Sequence, residues 1–169
     1  MSQYRVKVYK EYFDFSAAHF ITYGGRCETL HGHNYHVEVT LEGERGPDAF
    51  VFNFSDLKPL VRGICDSLDH KMLLADQNAL LKYQLNYEAQ SEVQTIEVTF
   101  GKRRYLFPLN EVVRLPIENT TAEAIAAYIL GQLRQALTNQ ARPELATLRR
   151  LEVGVEEQPG QAAFYSENW

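Results

Sequence analysis

Two histidines separated by a single glycine stand in the segment from Cys27 to Tyr35, and a third histidine lies upstream. His31 and His33 are two residues apart, and side chains two apart on a strand point to the same face. They can therefore present two imidazoles to one metal ion, and His19 would supply a third. Three neutral nitrogen ligands leave one position of a tetrahedral zinc open for water or substrate, which is typical of catalytic sites.

Cys27 lies between His19 and the histidine pair and has two interpretations. Its thiolate could complete the coordination of the metal, which would make this a closed structural zinc site of one cysteine and three histidines. Alternatively, it is a candidate base beside an open metal site, and the rest of the chain favours this second interpretation. The other cysteine, Cys65, lies in an apolar helical stretch and is interpreted as a buried, inert thiol.

The composition is that of one soluble globular domain over residues 1–169. The chain has 169 residues, of which 45% are hydrophobic and 23% charged, so it is long enough to bury a sizeable core. A net charge of −5 and the lack of a cationic cluster argue against nucleic acid as a partner. We find no apolar run of membrane-spanning length, no signal-peptide pattern and no disulfide framework, and therefore expect no membrane partner and a cytoplasmic location.

Alternating apolar residues predict two strands around the histidines. The first covers Tyr4 to Phe15, with His19 shortly after its end. The second begins at His33, and its parity turns His36 to the opposite face, which excludes His36 as a ligand. The apolar residues that share the face of His33 are Tyr35, Val37, Val39 and Leu41.

Apolar residues at spacings of three and four predict two helices. Ser55 can cap the first helix, which runs into Asp69 and His70. Thr120 and Glu123 form a capping box at the start of the second helix, which is expected to end near residue 139. The two stripes are Leu57, Leu60, Val61, Ile64 and Leu68, and Ala122, Ile125, Ala126, Ile129, Leu130, Leu133 and Leu137.

A β-hairpin is predicted between the helices, with Gly101 and Lys102 at its turn. Arg103 and Arg104 follow the turn and are interpreted as a solvated strand end rather than a phosphate clamp, because exposed arginine is common. The last strand alternates from Leu151 onwards and leaves Glu157 on its apolar face. A carboxylate there needs a partner, so it is a candidate ligand-binding acid, unless the strand ends early and Glu157 turns to solvent.

These motifs together resemble the 6-pyruvoyltetrahydropterin synthase and 6-carboxytetrahydropterin synthase family. They occur in the family's order over nearly the whole chain. The resemblance implies an α+β tunnelling fold (T-fold), with an antiparallel four-stranded sheet, two helices on one face, and assembly into trimers or hexamers. The segment 77–118, with its hairpin, is longer than in compact bacterial members and is expected to be an insertion. The matching motifs are residues 15–19, Cys27 with His31 and His33, residues 68–70, residues 121–123, and Glu157 with Tyr165.

The resemblance also assigns roles to individual residues. It implies that His19, His31 and His33 bind Zn²⁺. Cys27 would be the catalytic thiol, with Asp69 and His70, from a neighbouring subunit or a distant loop, as its partners. Glu157 would anchor the pterin ring, with Thr121 and Glu123 as further substrate-binding positions. From the residues alone, Asp69 and His70 also fit a helix C-terminus, where histidine interacts with the helix dipole, and Glu123 fits a capping box.

The implied activity is that of a zinc-dependent carbon–oxygen lyase acting on 7,8-dihydroneopterin triphosphate. The three-residue gap between Cys27 and His31 is similar to members that form 6-carboxytetrahydropterin with release of triphosphate and acetaldehyde, in the queuosine pathway. Two other outcomes remain alternatives: a 6-pyruvoyl product, and side-chain cleavage to a hydroxymethylpterin. Side-chain cleavage stays open because related enzymes use a catalytic glutamate and Glu28 lies next to Cys27. A zinc-dependent oligomer that binds a pterin without turnover is the non-enzymatic alternative.

Overall fold

The computed structural model describes residues 3–86, 93–140 and 142–169, apart from the side chains of residues 10–12. Residues 87–92 of the expected insertion lie outside this description. The strands are β1 (Tyr4–His19), β2 (Thr22–Tyr23), β3 (Arg26–Cys27), β4 (His31–Gly43), β5 (Lys71–Ala75), β6 (Lys82–Asn86), β7 (Thr95–Phe100), β8 (Arg103–Pro108), β9 (Val112–Leu115), β10 (Leu148–Gln158) and β11 (Gln161–Asn168). The α-helices are α1 (Phe54–Leu68) and α2 (Ala122–Thr138), and short 3₁₀ turns cover Leu109–Glu111 and Pro143–Thr147.

The main sheet has six strands in the order β11-β10-β4-β1-β5-β9. Its first four strands are antiparallel, which confirms the expected four-stranded sheet. Two short strands extend it, because β5 pairs parallel with both β1 and β9. Most of β5 is apolar and buried, with Leu73 in the main core and Met72 and Leu74 in a second cluster, as expected for a strand covered on both faces.

One face of the sheet carries the main core, against which both helices pack. Cross-strand neighbours such as Leu41 and Leu151, or Val39 and Val153, are fully buried there. Each such side chain contributes about 1.5–3 kcal/mol when buried, whereas a domain's net stability is only about 5–15 kcal/mol. A one-residue slip of β4 would turn Val39 and Leu41 outward, so the core fixes the register on which the histidines depend.

Strand β1 is longer than its alternation predicts, and His19 is its last residue rather than a residue beyond it. The register with β4 shifts between Tyr9 and Asp14. Val8 is buried before this irregularity, and Phe15 is buried after it, so the inward-facing parity changes from even to odd positions. A bulge changes the parity of a strand, and this change hid the continuation to His19 from the sequence pattern.

Both helix caps differ from the expected residues. Asn53, not Ser55, caps α1, because the Asn53 side chain accepts a 2.9 Å hydrogen bond from the Ser55 N–H. Thr121, not Thr120, caps α2 by accepting from the Ala124 N–H. The Thr120 hydroxyl instead donates to the carbonyl of Phe20 at 3.0 Å. The capping-box explanation of Glu123 is therefore wrong.

Within the segment 77–118, the described strands β6, β7 and β8 form a second, antiparallel sheet in that order, while β9 belongs to the main sheet. The predicted hairpin is confirmed as β7 and β8, and β6 adds a strand that the sequence pattern did not indicate. A second buried cluster joins this sheet to the main one, and it includes Phe20, Cys27, Ile96 and Val98. None of the helices in the described ranges is long and apolar enough to cross a membrane.

Candidate metal and pterin site

Three histidines meet where β1 ends and β4 begins. His19 lies directly opposite His31 in the antiparallel register, and His33 lies opposite Ala17. One ring nitrogen from each histidine can be chosen so that all three atoms lie within 4.8 Å of one another. A single metal ion fits such a group, as the sequence predicted, and His36 lies elsewhere, in an ion pair with Asp14 at 2.8 Å.

Backbone carbonyls orient two of the imidazoles. The Nδ1 atom of His19 lies 2.8 Å from the Thr120 carbonyl, and that of His31 lies 2.8 Å from the Thr29 carbonyl. These contacts make Nδ1 the protonated nitrogen and leave Nε2 with a lone pair, the arrangement common in metal-binding histidines. The Nε2 atom of His19 is buried without a hydrogen-bond partner among the described residues.

The protonation of His19 also suits metal binding. The pKa of His19 is lowered to about 4, chiefly by burial and also by its two histidine neighbours, while the hydrogen bond to Thr120 acts in the opposite direction. The ring is therefore neutral near pH 7. A buried, neutral and otherwise unsatisfied nitrogen is costly by itself and is relieved by a cation at the centre of the group.

Gly32 separates His31 and His33 and lies opposite Ala18, near the end of β1. A Cβ atom at this position would lie 3.0 Å from the Ala17 carbonyl oxygen, which is tighter than an ordinary contact. The glycine thus allows the two strands to bring their histidines together.

A cavity of about 560 Å³ opens from the histidines and also contains the predicted pterin-binding acid. Glu157 lies on β10 and is partly buried, so it does not turn out to solvent as the alternative interpretation proposed. Burial raises its pKa, and His33 opposes this shift. The cavity lining brings together three predicted substrate-binding residues, all three histidines and the acid next to Cys27: Glu157, Thr121, Glu123, His19, His31, His33 and Glu28.

Cys27 lies next to this cavity but does not line it. Its side chain is buried, and its Sγ lies 3.4 Å from the Glu28 carbonyl oxygen. Among the described residues, the group of potential metal ligands consists of the three histidines and does not include Cys27. Burial raises the pKa of the Cys27 thiol, while Arg103 acts in the opposite direction. The thiol is thus mostly protonated near neutral pH and needs a proton acceptor to act as a base.

Arg103 is exposed at the start of β8, as expected for a solvated strand end, but its guanidinium group also contacts a distant loop. Its Nη1 donates to the carbonyls of Cys27 at 2.7 Å and Glu28 at 2.9 Å. Arg104 points elsewhere and pairs with Glu97 at 2.7 Å on the exposed side of the hairpin. Sequence reasoning missed the Arg103 contact, although Arg103 shares the parity of Tyr105, whose ring packs against Phe20.

Asp69 and His70 form a hydrogen-bonded pair that lines no part of the cavity beside Cys27. Asp69 Oδ1 accepts from the Ser16 N–H at 2.7 Å, which holds the pKa of Asp69 below its ordinary value, and Oδ2 lies 2.9 Å from His70 Nδ1. His70 has a left-handed φ of 56° and an exposed ring. It lines a different cavity, of about 540 Å³, shared with His33. One chain therefore does not bring the predicted pair to Cys27.

Comparison with known proteins agrees with this fold and site. A structure of 6-pyruvoyltetrahydropterin synthase from Plasmodium vivax covers 100% of both chains, with a TM-score of 0.89 and 33% identity. In a variant structure of that enzyme, a glutamate described as a catalytic residue is replaced by alanine. The fold is thus the tunnelling fold, and the family to which such structures belong is that of the lyase-type tetrahydropterin synthases.

The chain belongs to the 6-pyruvoyl tetrahydropterin synthase family, whose model matches residues 7–168. Two of the curated relatives with a 6-carboxy name match most of this chain. The putative 6-carboxy-5,6,7,8-tetrahydropterin synthase of Methanocaldococcus jannaschii is 35% identical over 152 residues, covering 89% of this chain and 88% of the relative. The 6-carboxy-5,6,7,8-tetrahydropterin synthase of Haemophilus influenzae is 31% identical, covering 76% of this chain and 82% of the relative.

Replacing a site histidine should abolish metal binding without unfolding the protein. We expect His31→Ala to lose the zinc measured by elemental analysis and the rise in melting temperature on adding zinc, since binding to the native state stabilises it. His36→Ala is the matched control on the opposite face of the same strand, and it should bind about one zinc per chain. Equal zinc content in the two variants would contradict this site.

Proposed function

We propose that the protein is a zinc-dependent lyase that converts 7,8-dihydroneopterin triphosphate to 6-carboxy-5,6,7,8-tetrahydropterin, releasing triphosphate and acetaldehyde, in the cytoplasm and in the queuosine pathway. The observation that carries this proposal is a single cavity containing Glu157 and three histidines that can hold a metal ion. The volume of about 560 Å³ suits a small bicyclic substrate with its side chain. The 6-carboxy names of the two curated relatives favour this product over the 6-pyruvoyl one.

Glu157 is proposed to hold the pterin ring. A carboxylate can accept two parallel hydrogen bonds from the ring's amino group and the adjacent N–H, which fixes the orientation of the ring as well as binding it. Thr121 and Glu123 lie at the start of α2 and line the same cavity, which supports their proposed contacts to substrate. With its ring on Glu157, the substrate would extend its side chain towards the histidines.

His19, His31 and His33 would hold the zinc. Three imidazoles with an open fourth position are typical of catalytic zinc. Bound there, zinc would act as a Lewis acid towards the oxygen atoms of the substrate side chain and acidify the neighbouring C–H bond. No external redox cofactor is needed, because the oxidation of the side chain is balanced by reduction of the ring.

Cys27 is proposed to remove the proton from the side chain, with Asp69 and His70 of a neighbouring copy as its partners. The Asp69 carboxylate fixes the His70 tautomer through Nδ1, which leaves Nε2 as a proton acceptor. The exposed His70 ring and its separate cavity support a site completed between subunits. We therefore propose a homo-oligomer, a trimer or a hexamer.

Glu28 gives a specific reason for a second candidate, side-chain cleavage to a hydroxymethylpterin. Its side chain lines the cavity, whereas Cys27 is only 7% exposed and lines no part of it. Glu28 would then be the base, in line with the catalytic glutamate named for the P. vivax enzyme. The two candidates predict different bases and different products, so one experiment separates them.

Product analysis by mass spectrometry should identify the base. With zinc-loaded protein and 7,8-dihydroneopterin triphosphate, we expect the wild type to form the carboxypterin and acetaldehyde. Cys27→Ala should lower turnover by about 10²–10⁴-fold while keeping its zinc, since that is the usual contribution of a general base. Glu28→Gln should retain the product and most of the rate.

A hydroxymethylpterin that disappears in Glu28→Gln and persists in Cys27→Ala would establish the second candidate instead. A 6-pyruvoyl product would instead indicate 6-pyruvoyltetrahydropterin synthase activity. Pterin binding without triphosphate release by any zinc-loaded sample would favour the non-enzymatic interpretation, a zinc-dependent pterin-binding oligomer.

Removal of the Glu157 charge should weaken pterin binding. Hydrogen bonds to a charged group contribute about 1.5–3 kcal/mol, so Glu157→Gln should raise the dissociation constant of dihydroneopterin by about 10- to 100-fold. The control is Glu156→Gln, because Glu156 is the adjacent acid and accepts from the Gly160 N–H at 2.7 Å. Titration calorimetry with zinc-loaded protein makes the comparison, and equal affinities for both variants would remove Glu157 from the site.

A further inference from the structure

Hydrogen bonds hold the loop that carries the two candidate bases. It runs from Cys27, at the end of β3, to Leu30, just before the start of β4. Within the loop, the Glu28 N–H donates to the Ile21 carbonyl at 3.0 Å, and the Thr29 carbonyl meets His31 Nδ1. The other two contacts come from Arg103, 76 residues away from Cys27 in the chain.

Arg103 reaches the loop because of its place in the second sheet. Side chains alternate along β8, so Arg103, Tyr105 and Phe107 share one face. Tyr105 stacks on Phe20 at a centroid distance of 5.1 Å and on Phe107 at 6.1 Å. Phe20 directly follows the ligand His19, and it belongs to the same buried cluster as Cys27. The aromatic stack thus directs the side chain of Arg103, which precedes Tyr105 on that face, towards the loop.

The guanidinium group of Arg103 matches the loop chemically. One nitrogen donates to two consecutive carbonyls, at Cys27 and Glu28, so it fixes the peptide that joins the two candidate bases. Its positive charge also favours a thiolate at Cys27, against the effect of burial. Arg104, the next residue, lies on the opposite face and pairs with Glu97, so it offers a matched comparison on the same strand.

We propose that Arg103 is a positioning residue, through which the second sheet holds the Cys27–Glu28 peptide beside the metal site. The effect on backbone mobility stands independently of the reaction, whereas the effect on catalysis rests on the proposed function. Misplacing a reacting group by about 1 Å can lower the rate of reaction by about 100-fold, so such a contact matters although it touches no substrate.

The test compares Arg103→Met, Arg103→Lys and Arg104→Met as zinc-loaded full-length proteins. Hydrogen exchange of the amides of residues 28–30 reports loop mobility without substrate. We expect Arg103→Met to accelerate this exchange by about tenfold or more, since these amides open locally once the contacts to the loop are lost. Steady-state kinetics should show kcat reduced by about tenfold or more with KM within about threefold of wild type, because the loop positions the base rather than the pterin.

Arg103→Lys keeps a donor and a charge and should recover part of both losses, and Arg104→Met should behave as wild type. Wild-type exchange in Arg103→Met, or equal effects of the two methionine variants, would overturn the proposal. If Arg103→Met does not fold, the other two variants decide. The proposal would then be overturned if Arg103→Lys had the wild-type exchange rate and kcat while Arg104→Met had a reduced kcat. If the wild type does not turn over the substrate, the proposed function fails, and the exchange measurements still decide whether Arg103 positions the loop.

Discussion

The pairing of β1 with β4 is the constraint on which the whole site depends. It places His19 opposite His31 and carries His33 on the same edge, so that three ligand nitrogens meet without any loop having to close over them. The register is not set by the histidines, which gain nothing from meeting until a cation is present. It is set by the apolar residues further along both strands, which lose their burial if the register slips by one residue.

The two faces of the sheet stabilise different parts of the site. The main core lies on one face, under both helices, and stabilises the register and the β10 strand that carries Glu157. The smaller cluster lies towards the second sheet and surrounds Cys27. The metal ligands and the pterin acid thus depend on the main core, whereas the loop of the candidate bases depends on the second sheet. Changes in the segment 77–118 can therefore alter the base without disturbing the metal site.

Much of the site could be predicted from local patterns. The parity of one strand was enough to place His31 and His33 on one face and His36 on the other, and the same reasoning placed Glu157 inward on β10. The position of His19 at the end of β1 could not be derived in this way, because a bulge reverses the strand's parity. The N-cap residue of α2 was predicted wrongly because either of two adjacent threonines could cap the helix. The hydroxyl of Thr120 donates to the carbonyl of Phe20 instead.

The sequence is least informative about residues whose role depends on contacts between distant segments. Arg103 touches a loop 76 residues away, and neither its type nor its spacing indicates which of two adjacent arginines will do so. Glu28 lines the cavity, whereas the side chain of the adjacent Cys27 is buried in the second cluster. This cluster exists only where the second sheet packs against the main one, so the local sequence does not indicate which of the two residues faces the cavity. The Ser16 N–H donates to the Asp69 carboxylate, which also contacts His70. That this pair acts in the site of a neighbouring copy stays a prediction.

The measurement that tests the central claim most directly is a crystal structure of the zinc-loaded protein with bound 7,8-dihydroneopterin. An open catalytic site predicts one zinc held by ring nitrogens of His19, His31 and His33 at about 2.0–2.1 Å, with the pterin's amino edge on Glu157 and the Cys27 sulfur unbound. A Cys27 sulfur at about 2.3 Å from the metal, with no pterin in the cavity, would instead show a closed structural site and contradict this account.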